Sequence, residues 1–200
     1  MLNNIFSPFY FKDSINNDTM KSSLVPVMVS EYNKNKNNQP SAWNCRCYTT
    51  LEANNTILQN YEHRYDTIIS KFLREEGFKA CEVFLDSMWY NVYGIGQWQE
   101  AHTHNGPPPT PQFSAVHFLK FNPNVHSAIT FSNPSRVVNA PFSVPYVTTT
   151  NYWNPKQTLT DIKEGDVIIF PSTLEHEVPV QTTDELRITI SFNIMLKPEV

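Results

Sequence analysis

The sequence predicts a mainly β chain, a β-sandwich or jelly roll with one long helix packed on one face. Three observations carry that expectation. Over 56–76 the apolar residues recur with a helical period. Beyond Gly77 the chain breaks into short β-branched and aromatic segments punctuated by Pro, Asn and Gly. No internal repeat of useful length is present, which sets solenoids and propellers aside. A run of short strands after one helix is the pattern of packed sheets with helical cover.

Two hundred residues suit one domain, 1–200. It divides into an accessory N-terminal layer (1–55), a support helix (56–76) and a core (79–195). The first part mixes an apolar run at 24–29 with the tract EYNKNKNNQP, which cannot bury a face and reads as a solvated loop beside an accessory strand layer. In the helix, Ile57, Leu58, Tyr61, Tyr65, Ile68, Ile69, Phe72 and Leu73 share one side, Asn54 or Asn55 can cap the start, and Gly77 follows the end. Strands are expected at 81–93, 113–121, 128–131, 144–152, 167–170 and 187–194.

Charge and cysteine usage exclude several classes. Fifteen basic against 19 acidic residues give a net charge of −4, and no stripe of Lys and Arg suits a phosphate backbone, so nucleic acid is a poor partner. The N-terminus lacks the basic start and apolar core of a signal peptide, and nowhere do 18 apolar residues run together, so no membrane span and a cytoplasmic location are expected. Of the three cysteines, Cys45 and Cys47 stand one residue apart, too close for an easy disulfide. A reducing compartment fits.

Chemistry concentrates in two segments. GQWQEAHTHNG places His102 and His104 two apart, so on a strand both imidazoles leave the same face and can reach one metal ion. GDVIIFPSTLEHEVPV supplies His176 where a new strand would start. Two close ligands and one distant ligand leave the opposite coordination positions open. Eleven residues after His176, Arg187 opens the alternating strand RITISFNI, where an inward Arg is costly unless it meets a carboxylate. An acidic small molecule is its natural partner, with Thr189 on the same face as a second donor. Asp86 or Glu177 is the internal alternative. Upstream, Asn91 and Tyr93 alternate on WYNVYGIG, an amide and a phenol able to hold a carboxylate or keto-acid.

These residues resemble the Fe(II)- and 2-oxoglutarate-dependent oxygenases over about 89–193. Asn91, Tyr93 and Gly96 resemble the N-x-Y-x-x-G stretch that, in the nucleic-acid-demethylating members, precedes the first metal histidine and contacts 2-oxoglutarate. Gly165-Asp166, Phe170-Pro171, His176, Arg187 and Thr189 are similar to the family's distal-histidine strand and the arginine that binds the C5 carboxylate. The closest likeness is to small oxygenases of marine bacteria and phages, which also show His-x-His followed by a Ser-containing strand, here 114–119. For a phage-encoded chain the location would be the host cytoplasm.

The resemblance implies a double-stranded β-helix, with Fe(II) held by His102, His104 and His176 and 2-oxoglutarate and dioxygen consumed. It implies hydroxylation of an unidentified small-molecule or peptide substrate, with release of succinate and carbon dioxide. One departure stands out: the family's second ligand is Asp or Glu, whereas this chain has His104. Glu100 is the alternative second ligand. Three neutral imidazoles leave the site one unit more positive than two imidazoles and a carboxylate.

Other readings compete. Gly96 with His102-x-His104, and Gly165 with Pro171, open motifs like those of a metal-binding cupin, but no Glu follows His104 and Arg187 would have no role. A non-catalytic jelly roll, a binding module or virion protein, would explain the aromatics but not the histidines. A zinc role for Cys45 and Cys47 lacks a second ligand pair. His117 is either a core histidine or part of the co-substrate pocket, and His63 and His126 read as solvated. The stiff Pro107–Pro111 loop suits a pocket mouth, with Trp43, Cys45 and Tyr48 as neighbours if the N-terminal layer folds over it. A second copy of the chain is a candidate partner. Because an imidazole must be deprotonated to bind and its ordinary pKa is about 6.5, Fe(II) affinity should fall below about pH 6.

Overall fold

The computed structural model describes residues 8–36, 44–51, 56–79, 81–105, 110–134 and 155–198. Its strands, in chain order, are β1 (Phe11–Ser14), β2 (Tyr48–Thr49), β3 (Cys81–Tyr93), β4 (Gln99–His102), β5 (Phe113–Lys120), β6 (Thr130–Ser132), β7 (Lys156–Thr158), β8 (Asp166–Pro171), β9 (His176–Val178) and β10 (Arg187–Pro198). They build a six-stranded sheet, β1-β8-β5-β10-β3-β2, and a four-stranded sheet, β4-β9-β6-β7. Every pairing is antiparallel. This is the expected jelly roll. The strand expected at 144–152, the caps Asn54 and Asn55, Trp43 and the prolines at 107–109 lie outside the described residues.

The alternation in β10 sets the layers. Ile188, Ile190, Phe192 and Ile194 are fully buried against the helices on the outer face of the large sheet. Arg187, Thr189 and Ser191 point the other way, into the space between the sheets. On β5 and β8 both faces are apolar. Ala115, Leu119, Val167 and Ile169 join the helix-side core, whereas Val116, Phe118, Ile168 and Phe170 join the core between the sheets. With period-2 side chains, a one-residue slip of β10 would exchange its two faces, so burial of the four apolar residues fixes where Arg187 points.

The helical cover differs from expectation in two places. The segment 56–76 is not one helix but α2 (Thr56–Gln59), a 3-10 turn (Glu62–Tyr65) and α3 (Asp66–Glu75). The break is a tightening of the winding: Tyr61 and Arg64 donate to carbonyls three residues back, on Leu58 and Tyr61. It seats Tyr65 fully buried, its ring 4.5 Å from that of Phe192 and its hydroxyl 2.9 Å from His117 Nδ1. The helix end is as expected. Gly77 adopts φ +72°, and its N–H and that of Phe78 bond to Arg74 and Leu73, closing the last turn.

The longest helix among the described residues is α1 (Asp18–Asn35), in the segment read as an accessory strand layer. Val25, Val27, Val29 and Pro26 argue locally for an extended chain. A four-residue stripe overrides them: Met20, Leu24, Met28 and Tyr32 are buried under the large sheet, each such side chain contributing roughly 2 kcal/mol. The first part of the Asn/Lys tract, 31–35, is therefore helical. Among the described residues no helix is long and apolar enough to cross a membrane.

Candidate active site

His102 ends β4 and lies directly opposite His176, the first residue of β9. His104 does not share the strand, contrary to expectation, because β4 stops at His102. The chain stays pinned beyond that point, since His104 N–H donates to Ser172 O at 2.9 Å. The three rings converge, with centroids 4.3 Å apart for His102 and His176, 5.3 Å for His102 and His104, and 5.2 Å for His104 and His176. Each offers a ligand atom within 4.8 Å of the others.

Hydrogen bonds select the tautomers. His102 Nδ1 donates to Glu100 O at 2.8 Å, and His176 Nδ1 to Leu174 O at 2.9 Å. His104 Nδ1 lies 2.7 Å from Asn193 Oδ1. Every one of these acceptors is a carbonyl oxygen, so each Nδ1 carries the proton and each lone pair sits on Nε2. Glu100, the alternative to His104, is not brought into the group; its Oε1 accepts from Asn44 N–H at 3.0 Å.

On the large sheet, Arg187 pairs with Tyr93 and Thr189 with Asn91 across β10 and β3. All four line the same cavity as the three histidines, a narrow space between the sheets. Arg187 is 1% exposed, its guanidinium 4.6 Å from the Tyr93 ring and 5.5 Å from the Phe118 ring. Its Nε and Nη1 are buried without a hydrogen-bond partner, as is Asn91 Oδ1. Among the described residues no carboxylate forms an ion pair with Arg187, so Asp86 and Glu177 do not neutralise it. Tyr93 Oη donates to Gln99 Oε1 at 2.7 Å, and Asn91 Nδ2 to Ser191 Oγ at 3.3 Å. A wider space opens outward from the histidines, lined in part by Leu51, Trp89, Thr103, Asn105 and Pro111.

The family's sequence profile, described as "Putative 2OG-Fe(II) oxygenase", matches residues 87–193, more than half of the chain. The chain belongs to this oxygenase family. No curated protein matches the sequence of the oxygenase. Among solved structures, a prolyl-4-hydroxylase of Pseudomonas putida is similar with a TM-score of 0.56 at 10% identity, covering 97% of this chain and 95% of that one. The viral collagen prolyl hydroxylase of Paramecium Bursaria Chlorella virus-1 gives 0.56 at 14% identity, covering 92% and 94%. SnoK, a non-heme alpha ketoglutarate dependent carbocyclase from nogalamycin biosynthesis, gives 0.62 at 14% identity, covering 94% and 79%. At such identities the likeness speaks for the fold, the double-stranded β-helix. The oxygenase is Fe(II)- and 2-oxoglutarate-dependent, and the cupin and non-catalytic readings fall away.

The residues of the oxygenase suit both groups. Three imidazoles, His176 buried and His102 and His104 half-buried, with Nε2 lone pairs converging are a donor set for Fe(II). The orphaned nitrogens of Arg187 call for an anionic partner that the described residues do not supply.

Residues expected at the margins fall elsewhere. His117 lies on the helix side of the large sheet and bonds to Tyr65, so it does not line the pocket. His126 is buried, not solvated: Asn122 N–H donates to its Nδ1 at 3.0 Å and its Nε2 donates to Glu185 O at 2.9 Å. Cys45 and Cys47 are buried free thiols clustered with Tyr93 and Val178. The sequence reading missed Ser191, Asn193, Gln99 and Trp89. A signal for the first two existed, because Arg187, Thr189, Ser191 and Asn193 are the polar half of one alternating strand.

Burial holds these imidazoles neutral. It lowers His102, lowers His104 to about 4, His176 well below its usual value, and His117 to about 3. Below pH 6.5 the unfolded chain takes up protons that the folded chain refuses, so stability is present above that pH and falls as pH drops toward the folded values. The metal-free oxygenase should therefore lose roughly 1.4 kcal/mol per pH unit per histidine below about pH 6.5. Urea denaturation of the metal-free protein and of His117→Phe between pH 7 and pH 4 checks this. An equal slope for both would mean that His117 is not held neutral.

Proposed function

We propose that His102, His104 and His176 hold Fe(II) through Nε2, and that Arg187 with Thr189 receives the distal carboxylate of 2-oxoglutarate. Asn91 and Tyr93 complete the co-substrate pocket, and the enzyme hydroxylates a small-molecule or peptide substrate reaching the metal through the wider opening. The observation that carries this reading is the unpaired, buried Arg187 facing the same cavity as the three histidines. Fe(II) with 2-oxoglutarate and dioxygen supplies the oxidising chemistry, releasing succinate and carbon dioxide.

The chain's own groups do the positioning. Arg187 and Thr189 pair with Tyr93 and Asn91, and all four line the cavity that the histidines line, so a dicarboxylate anchored at Arg187 would share that cavity with the metal. The Tyr93 and Phe118 rings against the guanidinium exclude water, which strengthens each charge-assisted bond there. The opening presents Trp89, Leu51 and Pro111 with the amides of Gln99, Asn105 and Asn193 and no charged side chain among the described residues. That suits an uncharged reacting segment. Hydroxylation is supported by the two prolyl hydroxylases that share the fold, and a reducing, cytoplasmic setting by the free thiols of Cys45 and Cys47. Residues 79–195 are the catalytic core of a single domain on this reading, because every site residue named lies within them.

Anaerobic titration of the Fe(II)-loaded protein with 2-oxoglutarate tests the assignment. A saturable visible charge-transfer band, lost when Arg187 is replaced, is the expected result. Bound metal with no band at saturating 2-oxoglutarate would overturn the co-substrate site.

A further inference from the structure

The three histidines are not held alike. His102 and His176 each donate Nδ1–H to the main-chain carbonyl two residues back, on Glu100 and Leu174. Such bonds survive any change of side chain at the acceptor position. His104 has no such local acceptor, and its Nδ1 is met only by side chains, Asn193 Oδ1 at 2.7 Å and Ser114 Oγ at 2.8 Å. Those side chains are tied to one another. Ser114 Oγ donates to Asn193 Oδ1 at 3.1 Å and lies 3.0 Å from Ser172 Oγ, while Asn193 Nδ2 donates to Ser87 Oγ at 3.0 Å.

The sheet explains why the group exists. Asn193 on β10 stands opposite Ser87 on β3 and opposite Ser114 on β5, so the three form one cross-strand row facing the histidines. The β3–β10 register shifts between Asn193 and Ile194, and a bulge of this kind re-aims the neighbouring side chain. The bond from Asn193 Nδ2 to Ser87 turns the amide oxygen toward His104. That oxygen can only accept, so it excludes the His104 tautomer that would present an N–H to the metal.

We propose that Asn193, supported by Ser114, is a positioning residue that sets the tautomer and ring plane of His104. The inference rests on His104 being the second ligand. It gives the one ligand that lies beyond the end of its strand the orientation that the other two take from their own backbone.

The test uses Co(II) as probe and the metal-free protein as reference. In the metal-free protein, nitrogen-15 NMR of His104 should show the Nδ1–H tautomer, and Asn193→Ala should give a mixture. Asn193→Ala should weaken Co(II) binding about 10- to 100-fold, and Ser114→Ala less. Asn193→Asp, whose carboxylate accepts the same bond with a full charge, should bind at least as tightly as the parent. Thermal unfolding separates these effects from misfolding, and Ser114→Ala carries the test if Asn193→Ala does not fold.

His104→Ala distinguishes the two ways of failing. If it abolishes Co(II) binding while Asn193→Ala and Ser114→Ala leave affinity and tautomer unchanged, the positioning role is wrong and the ligand assignment stands. If His104→Ala itself binds Co(II) as well as the parent, the ligand assignment fails and takes this inference with it.

Discussion

Replacing Arg187 by Met should abolish useful 2-oxoglutarate binding and at the same time stabilise the protein in the absence of co-substrate. The two effects share one cause. Arg187 is 1% exposed, and two of its nitrogens are buried with no partner. A guanidinium cannot shed its proton to escape that situation. The rings of Tyr93 and Phe118 return about 2 kcal/mol each against a desolvation penalty of several kcal/mol, which leaves a net cost that a carboxylate removes. Met fills much of the same volume without the charge, and apolar replacement of buried charges is commonly stabilising by about 1–4 kcal/mol. For a chain of this size that is a rise in Tm of roughly 2–4 °C per kcal/mol. The loss of one partner in a buried charge pair costs about 2–5 kcal/mol in binding, so the Kd for 2-oxoglutarate should rise between roughly 30- and 5,000-fold. Calorimetry with and without 2-oxoglutarate reads both effects, and metal affinity should not change. A variant less stable than its parent would show that Arg187 is satisfied from within the fold.

How far this site could be read from the sequence depended on whether each residue's role is set by a short period or by a distant partner. The two-residue alternation of RITISFNI was enough to point Arg187 and Thr189 inward, because four fully buried apolar residues hold the opposite face. The same alternation aligned Asn91 with Tyr93. It misplaced His104 on the strand, since β4 ends two residues earlier and a bond to Ser172 takes over. No local rule shows that Ser172 will be there. The helix α1 was misread for a related reason: valines and a proline set the local preference, while the stripe Met20, Leu24, Met28 and Tyr32 matters only once the large sheet exists to receive it. His126 failed in the same way, because the carbonyl that accepts from its Nε2 belongs to Glu185, far along the chain.

His176→Ala should cost more in metal affinity than any change outside the histidine group, and its pH behaviour should differ from that of an exposed histidine site. Binding energies of about 10–16 kcal/mol for four-ligand zinc sites imply about 2.5–4 kcal/mol per ligand, so the variant should bind Fe(II) roughly 70- to 900-fold more weakly. His176 packs 4.8 Å from the Phe170 ring and 6.1 Å from the Phe131 ring by centroid, so the same change leaves a cavity and lowers stability. His102→Ala, at a less buried ring, separates the two: it should lose metal with a smaller loss of stability. The pH dependence follows from protons and metal competing for the same lone pairs. An ordinary imidazole would surrender metal below about pH 6, which is what the sequence alone suggests. Burial lowers all three histidines, His104 to about 4, so protonation competes only at more acidic pH and the fall in affinity should be displaced from near pH 6 toward pH 4. Binding isotherms from pH 4 to pH 8 decide it. Half-loss of affinity near pH 6.5 would mean that the three imidazoles are open to water in solution and not desolvated as the fold places them.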